Sequence, residues 1–322
     1  MLRSFNTTLY NISINSTIAP PAIEISGTAA VHLTAWFMVT TFIECLTSVL
    51  IILLISAILY RRGRPSHSSL QILHMLVLEL IIVSIIHPTL SVTVYFPSLA
   101  LSLVNCRNFY VFYIIVAGAE QWASFLLSVN RCIAIVFPLH FAKLNNRYAT
   151  IGAILTGWII MTAWTLPVAI DAGWRISLSA PWNICTLVPM TPVNGRIFQA
   201  NSSFGIYFPI SGTIVCYLVV LLSQLKERFN KCRVNVAADG AYDQTFELKR
   251  NRRMTAAKML FGSSLWYLAC YLPHIVITVF YRQVYADNPP LQLWMRVVYN
   301  SGYIGTPSER NTGLDCRKSV VT

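Results

Sequence analysis

Two carboxyl groups and one guanidinium stand in this sequence where charge is costly. Glu79 and Glu120 lie in the middle of long apolar runs, where a charged side chain normally faces a polar cavity or a partner. Two carboxyls sharing one small pocket split their pKa values, so that one keeps its proton unless a cation sits between them. Arg131 closes another apolar run; a guanidinium there must turn into a protein interior or reach back to the water interface. Eight cysteines are scattered with no C-x-x-C spacing, which argues against a structural zinc site or a thioredoxin-like motif. His74 and His87 add imidazoles, but with Glu79 and Glu120 they form no H-E-x-x-H spacing. A transporter or membrane-embedded enzyme is therefore disfavoured, and no catalytic or metal-binding residue is expected.

The elements that must carry these groups follow from composition. Of 322 residues, 55% are hydrophobic and 11% charged, with a mean hydropathy of +0.58, whereas soluble domains carry about 25% charged residues. The apolar residues gather into blocks such as Val31 to Leu59 and Ile151 to Ile170, long enough to cross a hydrocarbon core as helices. That excludes a soluble enzyme, a collagen-like rod and a disordered tail. Spans are expected at 31–60, 70–95, 107–136, 149–170, 203–225 and 256–281. A seventh candidate, 291–306, starts with Leu291, Leu293, Trp294, Met295 and Val297 and loses its apolar character at Thr306, Pro307, Ser308, Glu309 and Arg310. The expected fold class is an all-α membrane protein.

The net charge of +12 does not point to nucleic acid, because the basic residues sit in short connections between apolar blocks. Arg61, Arg62 and Arg64 lie in the first connection, Lys143 and Arg147 in the third, and nine Lys or Arg between Lys226 and Lys258 in the fifth. Positively charged short loops stay in the cytosol, which places the N-terminus outside. No compact apolar segment with a cleavage site precedes residue 30, so no cleaved signal peptide is expected. Asn6, Asn11 and Asn15 each begin an N-x-S/T sequon on this outer side, the acceptor pattern for N-glycosylation. The expected layout is a glycosylated extracellular segment 1–30, a membrane domain 31–306 and a short tail 307–322.

After the third span, Asn130-Arg131-Cys132 is followed by Ile133, Ala134, Ile135, Pro138 and Leu139. This resembles the D-R-Y and following proline of rhodopsin-like (class A) G-protein-coupled receptors. Other landmarks stand at that family's spacings: Cys106 lies 25 residues before Arg131, Trp158 stands ahead of Pro167, Tyr217 lies eight residues after Pro209, and Cys270-Tyr271-Leu272-Pro273 is similar to the family's C-W-x-P. The resemblance covers about residues 31–302 and implies a seven-transmembrane helix bundle, here with an incomplete seventh helix. It implies a disulfide between Cys106 and Cys185. It assigns activation and G-protein coupling to Asn130, Arg131, Tyr217, Tyr271 and Pro273, with the sixth helix hinging at Pro273.

By the same resemblance, Glu79 takes the place of the family's sodium-site aspartate, and Glu120, eleven residues before Arg131, falls where a serine usually faces that site. A cation or proton switch at Glu79, Glu120 and Asn300 is expected, sodium being the candidate ion, with two neutral acids bonded across helices as the alternative. The ligand pocket maps to Tyr110, Tyr113, Ala117, His274, Thr278 and Trp294, under a loop carrying Trp174, Arg175 and Trp182; aromatic rings with a few polar tips suit a small-molecule or peptide ligand. Tyr113 stands where amine receptors place an aspartate and Val298 where opsins place the retinal lysine, so neither a monoamine nor retinal is expected.

The departures bear on signalling. Asn130 replaces an acid and Arg253 stands where an acid often holds the key arginine, so raised basal activity is expected. Tyr271 replaces a tryptophan, and the first span has no asparagine. Tyr299-Asn300-Ser301-Gly302 matches the approach to N-P-x-x-Y, but Ile304 and Gly305 occupy the Asn-Pro positions, which points to a truncated or alternatively spliced seventh helix. The expected function is a plasma-membrane receptor coupling an extracellular ligand to a heterotrimeric G protein, embedded in lipid. The alternative is a non-signalling form that binds ligand or dimerises with an intact receptor.

Overall fold

The computed structural model describes residues 27–60, 67–96, 103–137, 146–170, 172–179, 184–191, 203–234, 265–274, 276–278 and 281–308, with a few single positions in the connections. The sequons at Asn6, Asn11 and Asn15, the basic residues Arg61, Arg62, Arg64, Lys143 and Arg253, and the tail 309–322 lie outside them.

Each long apolar run becomes a helix, because in hydrocarbon only a helix satisfies every backbone group within its own segment. The first, α1, spans Gly27–Tyr60. The second span is made of α2 (His67–Ile81), a π-turn at Ile82–Ile86, and α3 (His87–Tyr95). The π-turn has a local cause in Pro88, which has no N–H to give the Ser84 carbonyl and crowds it, so a widened turn just ahead relieves the clash. The same device precedes Pro209: a π-turn at Ser203–Tyr207 leads into α6 (Phe208–Val234). Between them run α4 (Leu103–Val136) and α5 (Arg147–Ala169), which contains Pro167. Asn146 caps α5, its side-chain oxygen accepting from the Ala149 N–H at 2.7 Å.

Among the described residues five helices are long and apolar enough to cross a membrane, namely Gly27–Tyr60, Ser69–Tyr95, Asn105–Val136, Arg147–Ala169 and Phe204–Ser223. The sixth, α7, is a shorter apolar helix over Leu265–Thr278. A six-residue helix, α8 (Arg282–Asp287), leads into the seventh, α9 (Pro289–Ser308). The seventh thus begins two residues before the apolar pattern 291–306 and ends two residues after it, since polar side chains do not themselves forbid a helix. Its end at Ser308 follows Pro307, which cannot bond the Tyr303 carbonyl. At 20 residues it is still not among the membrane-long apolar helices, which is the sense in which the seventh span is incomplete.

The bundle closes on a core of Leu78, Ile82, Val83, Ile86, Val116, Ala119 and Tyr303, with Ile51, Leu54 and Leu76 joining α1 to α2. Small residues let α4 and α5 approach closely: a Cβ on Gly157 would stand 3.3 Å from the Trp122 Cβ, and one on Gly118 would meet the Met161 side chain. Large apolar side chains such as Phe42, Leu53, Ile159 and Leu222 point outward, as a lipid-facing surface requires. Over one end lies a hairpin, β1 (Trp174–Ser179) antiparallel to β2 (Ile184–Pro189), with Leu178 opposite Cys185. Gly173 enters it at φ 82°, a conformation that suits glycine, while its carbonyl accepts from Asn194 Nδ2 at 2.8 Å.

Candidate functional site

One helix carries groups at both ends of the bundle. Near the start of α4, Cys106 is disulfide-bonded to Cys185 of β2, with their Cα atoms 5.8 Å apart. The bridge seats the hairpin on a cluster of Val168, Trp174, Ile176 and Leu187, with Tyr110 packed against it. On the other side Trp182 wedges among Leu33, Trp36, Val94 and Leu293, donating from its indole N–H to the Pro289 carbonyl at 3.2 Å. The hairpin thus rests on the ends of the first, second, third and seventh helices at one side of the bundle, while Arg175 stays exposed.

Beneath it Tyr110, packed against the hairpin, leads into a cluster of aromatic rings that is the candidate ligand chamber. Tyr110 meets Tyr113 edge-on at 6.3 Å between ring centroids. The ring of His274 lies 6.0 Å from Tyr285 and 5.7 Å from Tyr299, and its Nδ1 is 3.1 Å from the Tyr285 hydroxyl. Ala117, Tyr113 and Tyr299 pack against the same core. The structure therefore brings Tyr110, Tyr113, Ala117 and His274 together. Thr278 is exposed; its hydroxyl donates to the His274 carbonyl of its own helix at 2.7 Å and also bonds the Tyr285 side chain, while Trp294 turns to the first helix, donating to His32 Nδ1 at 3.4 Å. The sequence reading missed Tyr285, Tyr299 and Arg296. Arg296 carries its charge among the hydroxyls of Tyr113, Tyr285 and Tyr299. Its spacing held the signal: Leu293, Arg296, Asn300 and Tyr303 follow one face of a helix, and Leu293, Asn300 and Tyr303 are buried.

A polar layer crosses mid-bundle. Glu79 and Glu120 are both buried. Gln121 donates from Nε2 to Glu120 Oε2 at 2.7 Å and lies 2.6 Å from the Tyr267 hydroxyl. Asn300 donates to Oε1 of a third carboxyl, Glu44, at 3.3 Å, and the Ser91 hydroxyl donates to the same atom at 3.3 Å. Glu44 is 3% exposed and was overlooked, although a carboxyl inside the first apolar run has the same signature as Glu79 and Glu120. Its three-helix contact joins the first, second and seventh spans.

At the opposite end, Asn130 donates to Gln71 Oε1 of α2 at 2.8 Å. Arg131 forms no ion pair among the described residues, and its buried Nε has no hydrogen-bond partner there. Tyr217 is buried in α6. Tyr271 stacks on Tyr267 at 5.3 Å and meets Tyr299 at 5.1 Å, so a continuous aromatic path runs from the chamber towards Tyr303, whose ring lies 6.0 Å from Tyr267. Pro273 is exposed on α7, two positions beyond Tyr271.

No curated protein matches this chain. Residues 30–299 match the family described as 7 transmembrane receptor (rhodopsin family).

Proposed function

Because this chain belongs to the rhodopsin family of seven-transmembrane receptors, we propose that it receives an extracellular ligand in the chamber under the hairpin and passes the signal to a heterotrimeric G protein at Arg131. The observation that carries this reading is the continuity of α4. From Cys106 to Arg131 the helix is unbroken, about 38 Å at 1.5 Å per residue, so the disulfide-pinned end and the arginine end move as one body. Arg131, with no ion pair among the described residues, is available to a partner's acceptors.

In this reading the chain is a plasma-membrane protein with its N-terminus outside and glycans on Asn6, Asn11 and Asn15, and the basic segment 226–258 faces the G protein. The Glu79, Glu120 and Asn300 layer takes a sodium ion or exchanges a proton. Sodium and pH both leaving agonist affinity unchanged would sink that assignment.

The test is nucleotide exchange on G proteins in membranes of cells expressing N-terminally tagged chain, normalised to surface staining, with Arg131→Ala beside it. Exchange above mock-transfected membranes that falls to mock level in R131A supports coupling. Surface-exposed protein with no such exchange refutes it and leaves a form that holds ligand or pairs with another receptor.

A further inference from the structure

Arg296 is a cation in the seventh helix with no ion pair among the described residues, and the groups gathered around it are those that bind anions. We propose that the chamber recognises an organic anion, a carboxylate or phosphate on a compact aromatic body, through the guanidinium of Arg296. The inference rests on the chamber being the ligand site and adds the ligand's chemical class.

Three observations converge. Arg296 lies on the bundle-facing stripe of α9 between Leu293, which is 0% exposed, and Asn300, and it is itself partly buried. Around it are three phenol hydroxyls, of Tyr113, Tyr285 and Tyr299, and the imidazoles of His87 and His274. Burial pushes the Tyr285 phenol above its ordinary pKa, so it stays protonated and able to donate. No carboxylate forms an ion pair with Arg296 among the described residues; Glu44, bonded to Asn300 of the same helix, is engaged by Ser91 and Asn300. Finally, His87 is 5% exposed, its Nδ1 has no hydrogen-bond partner among the described residues, and its ring lies 5.9 Å from Tyr299.

An arginine enclosed by protein without a counter-anion is held at an electrostatic cost. A ligand carboxylate or phosphate relieves it, and the planar fork of the guanidinium takes two oxygens at once. The stacked and edge-on tyrosines supply the walls for an aromatic body. A cationic ligand would meet the same guanidinium as repulsion.

The experiment is thermal unfolding of the full chain in lipid nanodiscs with four probes of one shape: phenylacetate, phenyl phosphate, neutral phenylacetamide and cationic phenethylamine. The two anions are expected to raise the unfolding temperature and the neutral and cationic probes to leave it. Arg296→Gln is expected to weaken the anions' apparent Kd by about tenfold or more, the loss of a charge-assisted pair. No stabilisation by either anion, or equal stabilisation of R296Q, overturns the proposal. Should R296Q fail to fold, Arg296→Lys decides: undiminished binding of phenylacetate overturns the role of the fork, and about tenfold weaker binding upholds it. Whether phenylacetate or phenyl phosphate binds more tightly identifies the head group. R131A is run in parallel; its anion response should equal that of the unsubstituted chain, so that a failure of G-protein coupling and a failure of anion recognition are read separately.

Discussion

Replacing Asn130 by Asp should quieten the receptor. Arg131 has no ion pair among the described residues, and the neighbouring Asn130 amide is spent on Gln71 at 2.8 Å. Were an aspartate at 130 to reach about 4 Å from the guanidinium, the raw attraction would be about 4 kcal/mol at an effective dielectric constant of about 20. Both side chains are partly exposed, so desolvation and side-chain ordering leave about 1 kcal/mol. Gln71 keeps its contact by turning its NH2 toward the new carboxylate. If the pair forms only in the resting arrangement, about 1 kcal/mol shifts the resting-to-active ratio about fivefold. The measurement is ligand-free nucleotide exchange at matched surface level, with Asn130→Leu as the control for losing the Gln71 bond. Basal exchange in N130D within twofold of the unsubstituted chain, or an equal fall in N130L, would refute the argument.

Other expectations follow from the packing. Cys185→Ser frees the hairpin; the chain-entropy relation for the 79-residue separation gives about 4.5 kcal/mol as an upper bound, because inserted helices already restrain the loop, and the readout is a lower unfolding temperature with less surface protein. Gly157→Val sets a branched side chain against the Trp122 Cβ, 3.3 Å from the new Cβ, and should cost about 1–3 kcal/mol, whereas Gly152→Val, with nothing within 4 Å, should melt like the unsubstituted chain. Glu44→Gln keeps an oxygen for Asn300 and Ser91 and should be mild, but Glu44→Leu strands both buried donors and should lower stability by about 1–3 kcal/mol, seen in the same melts.

What the sequence disclosed, and what it withheld, divides along a physical line. The spans were readable because lipid tolerates only long apolar helices, so Val31 to Leu59 could hardly be anything else. Cys106 and Cys185 were readable by resemblance, and their union is present. The partners of polar groups were not readable, because they depend on how each helix is rotated against its neighbours. Asn300 was grouped with Glu79 and Glu120, yet its hydrogen bond goes to Glu44; Asn130 was read against Arg131, and its amide reaches back to Gln71. Trp294 and Thr278 map to the pocket by position alone, and position does not tell that the Trp294 indole reaches His32 or that the Thr278 hydroxyl bonds both its own helix and Tyr285. Arg296 was passed over because the seventh segment was judged by its apolar content, which a single arginine only dilutes.

The π-turn at Ile82–Ile86 also bears on how this chain tolerates changes of length. A wide turn holds one residue more than an α-turn in the same stretch of axis. Losing one residue elsewhere in the second span would rotate everything beyond the gap by about 100° and carry buried His87 and Ser91 off the bundle. Losing one from Ile82–Ile86 would absorb the slack and leave both packed faces in phase. Pro88 is what keeps the slot open, since a regular turn would press its ring on the carbonyl four residues back. A deletion of Val83 is therefore expected to fold when combined with Pro88→Ala and to fail alone, which makes this turn a hidden allowance for length in a helix that otherwise has none.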